Sequence, residues 1–279
     1  MHFTKMQGLG NDYVYVDARN EQIEDPAALA VAISRPHFGV GADGLVLIGA
    51  SDCADFSMRI FNADGSESEM CGNAARCIGK YVYERGITDR TSVTLSTLAG
   101  VRTLDLTVKG GAVTRVRVDM GAPILEAGAI PTTLGPGRVI RRPIEADGRV
   151  FEATCVSMGN PHAVIFLQED VERFDIRRYG PALERHDAFP RRTNVEFAQV
   201  LAGDRIRMRV WERGSGVTLA CGTGACATAV AASLCGYCER KATIVLDGGE
   251  LLVEWVEDTV YKTGPAAFVF DGEWPSCAR

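Results

Sequence analysis

Short segments in which apolar and polar residues alternate make up most of the 279-residue chain. A period of two, bounded by Gly- or Asp-rich stretches, is typical of β-strands. The pattern predicts strands over residues 13–17, 45–48, 58–61, 92–95, 103–108, 113–119, 163–167, 206–211, 242–246, 251–256 and 267–270. Strands are therefore expected to outnumber helices.

Helical periodicity is confined to a few segments. Pro26–Ser34 follows Asp25, a candidate N-cap, and residues 73–85 end at Gly86, a typical C-cap. A third helix is predicted over residues 224–234. Its side chains are apolar or small all round, so we expect it to be buried.

The last two of these helices belong to an internal repeat. Cys71-Gly72-Asn73 and Cys221-Gly222-Thr223 lie 150 residues apart, each just before a predicted helix. Residues 58–61 (MRIF) match residues 208–211 (MRVW) at the same offset, and Gly10-Asn11 matches Gly159-Asn160 at an offset of 149. One offset shared by several segments indicates a duplication.

The repeat predicts an α+β fold of two similar domains, each a mixed sheet curled round a central helix. The first domain is expected to comprise residues 1–121 and 267–279, so that the C-terminal strand returns to it. The second is expected to comprise residues 122–266. Domains of this size are common.

Composition narrows the functional class. With 46% hydrophobic and 24% charged residues, the chain has the composition of a soluble globular protein. A net charge of −6 and the lack of Lys/Arg-rich clusters argue against nucleic-acid binding, so a small-molecule substrate is expected. The N-terminus has no apolar segment typical of secretion signals. An odd number of cysteines, nine, favours reduced thiols in the cytoplasm.

Three segments resemble other kinds of site. Residues 214–238 carry no charge, but they consist mainly of small residues, so a buried loop and helix is expected rather than a membrane span. Residues 39–44 fit G-x-G-x-x-G, yet a helix precedes and a strand follows, the reverse of a dinucleotide site. Cys235 and Cys238 form a C-x-x-C without a second pair at zinc spacing, so we interpret them as fortuitous.

Each repeated cysteine suits acid–base chemistry. A thiol has a pKa of about 8.5, which a helix N-terminus lowers, and free N–H groups there bind carboxylates. Two such loops on opposite sides of one α-carbon would let a thiolate remove the α-proton while a thiol protonates the other face. This predicts a racemase or epimerase without a cofactor, although no sequence pattern excludes pyridoxal phosphate. The alternative is that both cysteines are simply buried core residues.

The polar residues that flank the two Cys-Gly loops differ between the copies. The matching positions hold Asn62 and Glu212, Asn11 and Asn160, and Gly44 and Asn194, with Arg213 directly after Glu212. An arginine and several amides near a carboxylate-binding loop favour a substrate with a second carboxylate and ammonium group. His162 and Glu212 are candidates for controlling thiol protonation, with a structural role as the alternative for His162.

Six motifs resemble those of the diaminopimelate epimerase family. They are GLGND (8–12), GVGADG (39–44), FNADGSESEMCGNAARC (61–77), GNPH (159–162), TNVEF (193–197) and WERGSGVTLACGTGA (211–225). The resemblance runs nearly end to end and implies two α+β halves around a central cleft that holds the active site. It also implies cofactor-free interconversion of L,L- and meso-2,6-diaminopimelate, a step towards lysine and peptidoglycan precursors.

The resemblance also implies roles for individual residues. Cys71 and Cys221 would be the acid/base pair, and His162 and Glu212 would modulate the thiols. The substrate would be lined by Asn11, Asn62, Gly72, Asn73, Asn160, Asn194, Glu212, Arg213, Gly222 and Thr223. Some family members have a substrate-contacting Gln where this chain has Gly44, which puts that one contact in doubt.

Two alternative functions remain open at this point. One is a racemase or epimerase of another amino acid on the same fold, such as proline or histidine, for which Arg213 would have no evident use. The other is a catalytically inactive binding module. The sequence also leaves open which cysteine rests as thiolate, whether the two form a disulfide, and the oligomeric state, a homodimer being one option.

Overall fold

The computed structural model of the protein describes residues 1–19 and 21–275. They form two compact units, Met1–Asp119 with the segment that begins at Gly264, and Met120–Thr263. The repeat places these boundaries slightly later, at 121 and 267. Residues 276–279, the end of the predicted first domain, lie outside the described residues.

The first unit contains helices α1 and α2 with strands β1 to β8 and β18. The strands are β1 (His2–Gly8), β2 (Asn11–Asp17), β3 (Gly44–Gly49), β4 (Phe56–Asn62), β5 (Glu67–Ser68), β6 (Ser92–Thr97), β7 (Gly100–Lys109), β8 (Ala112–Asp119) and β18 (Ala267–Glu273). Helix α1 (Pro26–Ser34) begins after Asp25, whose side chain accepts a hydrogen bond from the Ala28 N–H, as the N-cap signal predicts. Helix α2 spans Gly72–Glu84.

The second unit contains helices α3 and α4 with strands β9 to β17. The strands are β9 (Arg142–Ala146), β10 (Arg149–Ser157), β11 (Pro161–Phe166), β12 (Asn194–Ala202), β13 (Arg205–Glu212), β14 (Gly216–Thr218), β15 (Lys241–Leu246), β16 (Gly249–Val256) and β17 (Thr259–Gly264). Helix α3 spans Ile176–Glu184 and helix α4 spans Gly222–Leu234.

The two units pair their strands in the same order. In the first, β18, β1, β2, β3, β4, β6, β7 and β8 follow one another across a mixed sheet whose β2–β3 and β4–β6 pairs are parallel. In the second, the order is β9, β10, β11, β12, β13, β15, β16 and β17, with β11–β12 and β13–β15 parallel. Strand β18 pairs with β1 at the edge of the first unit, and β9 pairs with β10 at the equivalent edge of the second unit. The predicted α+β class and duplication are confirmed.

The helix that follows each Cys-Gly loop packs against the sheet of its own unit. Helix α2 contacts β1, β7 and β8, whereas α4 contacts β10 to β13, β15 and β16. Residues 224–232 of α4 are all buried. The prediction that this uniformly apolar helix is buried is therefore confirmed, because it has no polar face to expose.

Helix α3 is absent from the sequence prediction for a physical reason. It contains Gly180 and Pro181, both of which disfavour a helix interior. A Cβ at Gly180 would lie 2.6 Å from the Trp211 ring, so close packing against β13 requires glycine there. Tertiary contact outweighs the low helix propensity of this segment.

Within the uncharged segment 214–238, helix α4 is only 13 residues long, shorter than the roughly 20 residues that a membrane-spanning helix needs. Among the described residues, no helix combines the length and the apolar character needed to cross a membrane.

Candidate active site

The first half-site lies at the start of α2. Cys71 is the N-cap residue and its side chain accepts no capping hydrogen bond. Its thiol donates to Asn11 Oδ1 at 3.6 Å, and Asn73 Nδ2 donates to the same oxygen at 3.1 Å. Cys71 is half-buried at the start of the helix. The structure thus brings together three of the predicted site residues.

A buried arginine holds this amide pair in place. Arg76 is fully buried and donates from Nη1 to Asn73 Oδ1 at 3.0 Å and from Nε to the Pro265 carbonyl at 2.9 Å. Asn11 donates in turn to Asp43 at 2.6 Å. Sequence reasoning did not assign Arg76 or Asp43 to the site. Both support residues that it did assign.

Gly44 and Asn62 face each other across β3 and β4. Asn62 Nδ2 donates to Ser66 Oγ at 2.9 Å and to Ser68 Oγ at 3.2 Å. A Cβ at Gly44 would lie 2.0 Å from the Phe61 carbonyl oxygen and 2.9 Å from Tyr13 Cε1. The surrounding backbone and the Tyr13 ring therefore leave no room for a side chain at position 44.

The second half-site lies at the start of α4. Cys221 is again the N-cap, but it is buried, with 4% of its surface exposed. Its sulfur accepts from the Gly224 N–H at 3.4 Å and lies 3.6 Å from Thr223 Oγ1. A Cβ at Gly224 would be 2.6 Å from Glu196 Oε1 and 3.2 Å from the Cys221 sulfur, so this turn requires glycine.

Two carboxylates control the electrostatics around Cys221. Burial raises the pKa of Cys221 well above the ordinary thiol value, and the negative charges of Glu212 and Glu196 raise it further. Burial also raises the pKa of Glu212, against the hydrogen bond that Glu212 accepts from the Thr218 hydroxyl. The Gly224 N–H at the helix start lowers the pKa of Cys221, as expected, but burial and the two acidic neighbours outweigh it, so the net shift of the pKa is upward.

His162 lies in the same cluster. Its Nδ1 is 2.7 Å from Glu196 Oε1, and its Nε2 is 3.0 Å from Asn160 Oδ1. His162 and Glu196 are both fully buried. Sequence reasoning identified His162 and Asn160 but missed Glu196. The available signal was a carboxylate among apolar residues within the TNVEF motif.

His162, Glu196 and Cys221 also offer ligand atoms within 4.8 Å of one another. Both ring nitrogens of His162 already have hydrogen-bond partners, so a metal ion would have to displace them. The cluster is better described as a hydrogen-bonded dyad beside a thiol than as a preformed metal site.

The remaining predicted residues of this unit lie at the ends of β12 and β13. Asn194 is buried, donates to the Pro161 carbonyl at 2.9 Å and accepts from the Arg213 N–H at 2.9 Å. The Arg213 side chain is exposed and donates to the Arg191 carbonyl at 3.3 Å. Asn194 thus fixes the turn that presents Arg213.

In both units the first helical residue is a glycine, Gly72 in α2 and Gly222 in α4. The first four N–H groups of a helix have no partner within it, and they attract anions. Each unit therefore combines a thiol with donors suited to a carboxylate.

Comparison with known proteins shows which families the chain resembles. A sequence profile described as "Diaminopimelate epimerase" matches residues 3–126 and 154–269. A protein of that name from Methanococcus maripaludis (strain C5) is 54% identical over 275 residues, covering 98% of this chain and 99% of its own. One from Pelotomaculum thermopropionicum is 56% identical over 278 residues, covering 99% of both chains.

Solved structures share the fold at low sequence identity. A Bacillus anthracis phenazine biosynthesis protein of the PhzF family superposes with a TM-score of 0.70 at 17% identity, covering 99% of both chains. A probable proline racemase from Agrobacterium radiobacter superposes with a TM-score of 0.71 at 16% identity, covering 98% of this chain and 92% of its own. At these identities the likeness concerns the fold alone.

Proposed function

Because this chain belongs to the diaminopimelate epimerase family and is an isomerase, we propose that it interconverts L,L- and meso-2,6-diaminopimelate without a cofactor. The proposal places it in the cytoplasm, on the route to lysine and peptidoglycan precursors. The observation that carries it is the repeated arrangement of a cysteine at the N-terminus of a helix, Cys71 before α2 and Cys221 before α4. Relatives more than 50% identical over nearly the whole chain support the substrate.

In the proposed mechanism the two cysteines act as paired bases. One thiolate removes the α-proton, and the other thiol delivers its proton to the opposite face of the same carbon. The substrate gains and loses one proton, and the two thiols exchange protonation states. No covalent bond forms between enzyme and substrate. The mechanism requires both sulfur atoms to reach that carbon.

The helix N-termini supply the second component. Removal of an α-proton places negative charge on the adjacent carboxylate. The N–H groups of Gly72 and Asn73, and of Gly222 and Thr223, are positioned at helix starts where such charge is stabilised. We assign the reacting carboxylate to these donors.

The distal end of the substrate needs a different set of groups. We assign its carboxylate and ammonium to the exposed guanidinium of Arg213 and to the amides of Asn62, Asn160 and Asn194. Asn11 and Glu212 complete the proposed lining. Proline lacks a second amino-acid end, so a proline-type reaction would leave Arg213 without a function.

The test is epimerisation of pure L,L-diaminopimelate in D₂O, followed by α-deuterium incorporation and by chiral separation. Cys71→Ala and Cys221→Ala should each reduce turnover by about 10³-fold or more, because each removes an acid–base group. Cys53→Ala is the matched control, since Cys53 is exposed and its sulfur hydrogen-bonds to the Ser51 and Ser96 hydroxyls. It should retain full activity.

Two results would contradict the proposal. Turnover that survives either cysteine substitution would exclude the two-base mechanism. Equal turnover of proline or histidine would exclude the substrate assignment while leaving the mechanism intact.

A further inference from the structure

The second unit contains a buried pair of an imidazole and a carboxyl group, His162 and Glu196, on neighbouring strands of its sheet. β11 and β12 run parallel, with His162 opposite Asn194 and Val164 opposite Glu196. Alternate residues of a strand share one face of the sheet. His162 therefore meets Glu196 on the diagonal, Nδ1 to Oε1, at 2.7 Å.

The repeat shows that this pair is not part of the shared architecture. At the offsets of 149 and 150 residues, the positions of His162 and Glu196 correspond to Tyr13 and Val46 of the first unit. β2 and β3 are paired in the same parallel manner as β11 and β12. The first unit thus builds the same strand pair with an aromatic and an aliphatic residue, so the fold does not require a carboxylate there.

Burying a carboxylate is costly, and this one is incompletely satisfied. Glu196 is fully buried, and within the described residues its Oε2 has no hydrogen-bond partner. Replacing a buried polar pair as a whole with apolar residues is often neutral or stabilising, and the first unit has Tyr13 and Val46 at the two positions. A contribution to folding stability is therefore a poor explanation for Glu196.

Glu196 is connected through His162 to Asn160, one of the predicted substrate-binding residues. Glu196 Oε1 faces His162 Nδ1, and His162 Nε2 faces Asn160 Oδ1 at 3.0 Å. With the Nδ1 proton donated to Glu196, Nε2 of the neutral ring is an acceptor, so a continuous chain of hydrogen bonds requires Asn160 to turn its NH2 group, and not Oδ1, towards Nε2. This chain runs from the sheet interior to Asn160, which is half-exposed. A ring fixed at one nitrogen presents the other in a defined direction.

We propose that Glu196 is a positioning residue that accepts a hydrogen bond from Nδ1 of His162 and thereby leaves Nε2 to accept one from the amide NH2 group of Asn160. The Asn160 amide is then held ready for its ligand. That the ligand is diaminopimelate rests on the proposed function, whereas the orientation of the ring does not.

Other ionisable groups face this pair from neighbouring elements. Glu212 lies at the end of β13, Cys221 at the start of α4 and Cys155 on β10. Burial, with the charge of Glu196 adding to it, raises the pKa of Cys155 to about 12. Neither thiol nor Glu212 is within hydrogen-bond distance of His162 in the structure, so Glu196 and Asn160 are its ring partners.

The first test is nitrogen-15 NMR of the histidine rings in the ligand-free protein, at a pH where the rings are neutral. We expect His162 to carry its proton on Nδ1. His186 is an internal control with the opposite tautomer, because its Nδ1 accepts from the Ala188 N–H at 3.0 Å. Glu196→Gln retains an acceptor oxygen and should keep the Nδ1 tautomer, whereas Glu196→Leu should lose it.

Glu184→Gln is a matched control for loss of a buried carboxylate. Glu184 is 2% exposed and accepts from Trp211 Nε1 at 2.8 Å, on a different element. This variant should leave the His162 spectrum unchanged. If Glu196→Leu fails to fold, the wild-type tautomer and that of Glu196→Gln still test the proposal. A His162 proton on Nε2 in the wild-type protein would overturn it.

The second test is kinetic. Glu196→Leu should lower kcat/KM for diaminopimelate about tenfold, since a misplaced binding group has effects of this order, and Glu196→Gln should recover most of that loss. In a His162→Gln background, Glu196→Leu should have no further effect, because it acts through the ring. Additive losses would overturn the proposal. If the NMR result holds but the wild-type protein does not turn over diaminopimelate, the proposed function fails and the positioning role stands.

Discussion

The two half-sites share a backbone and differ in charge. Around Cys71 lie the amides of Asn11 and Asn73, and the thiol is half-buried. Around Cys221 lie two carboxylates and an imidazole, and the thiol is buried. Strand order and helix start are the same in both units. The duplication has therefore retained the elements that position a thiol and changed the groups that set its protonation.

One exchange of residues accounts for the imidazole in the second unit. Where the second unit has His162 beside Asn194, the first has Tyr13 beside Gly44. The Tyr13 ring occupies the space that a side chain at position 44 would need. The first unit fills this position with a tyrosine ring beside a glycine. The second unit fills it with an imidazole beside an asparagine.

Gly44→Ala is the substitution that should affect stability most. Its Cβ would lie 2.0 Å from the Phe61 carbonyl oxygen, a backbone atom that cannot move without disturbing β4. We expect a loss of about 3 kcal/mol or more in the free energy of unfolding, at the upper end of overpacking effects. Urea denaturation followed by circular dichroism measures it.

Two further variants serve as controls for Gly44→Ala. Asn194→Ala, at the equivalent position, should cost only about 1–2 kcal/mol, because it removes hydrogen bonds without a clash. Gly128→Ala should be nearly neutral, since nothing lies within 4 Å of the added Cβ. Equal losses at Gly44 and Asn194 would contradict the proposed exchange.

Arg213→Ala tests whether this arginine, which only the second unit carries, binds the distal end of the substrate. The equivalent residue of the first unit is Ala63, so only one copy carries this charge. We expect kcat/KM for diaminopimelate to fall about 10- to 100-fold, mainly through KM, since a hydrogen bond to a charged group contributes about 1.5–3 kcal/mol. Initial rates over a range of substrate concentrations separate KM from kcat.

Arg213→Lys is the conservative control and should recover part of the loss, because it keeps the charge but not the planar guanidinium. A fall in kcat with KM unchanged would place Arg213 in the chemical step and contradict a purely distal role.

Much of the fold could be predicted from the sequence because the 150-residue repeat and the alternation of apolar and polar residues indicate the same strands and helices. The predicted strands and helices overlap β2, β3, β4 and other elements of the structure, and helices begin directly after Cys71 and Cys221. β12 was missed because Asn194 and Glu196 interrupt its apolar pattern, although both are buried. A strand that buries polar groups violates the pattern where a site requires those groups.

The electrostatics of the site could not be predicted in the same way. The position of Cys221 before a helix was evident, but the raised pKa of its thiol depends on burial and on two carboxylates from β12 and β13. A sequence motif shows neither how exposed a thiol is nor which side chains of other strands lie beside it. The sequence therefore indicates candidate reactive groups, whereas their protonation depends on burial and on neighbours that only the structure shows.

The smallest expected effect concerns the relative reactivity of the two thiols. At pH 8, iodoacetamide should modify Cys221 at least about tenfold more slowly than Cys71, because Cys221 is buried and its pKa is raised, so little of it is thiolate. Peptide mass spectrometry of the ligand-free protein gives both rates. Since the pKa of Cys221 is raised, its rate should keep increasing between pH 8 and 10. The rate at Cys53, whose pKa is lowered by hydrogen bonds to Ser51 and Ser96, should level off earlier. Equal rates at Cys71 and Cys221 would mean that the carboxylates around Cys221 do not distinguish the half-sites in solution.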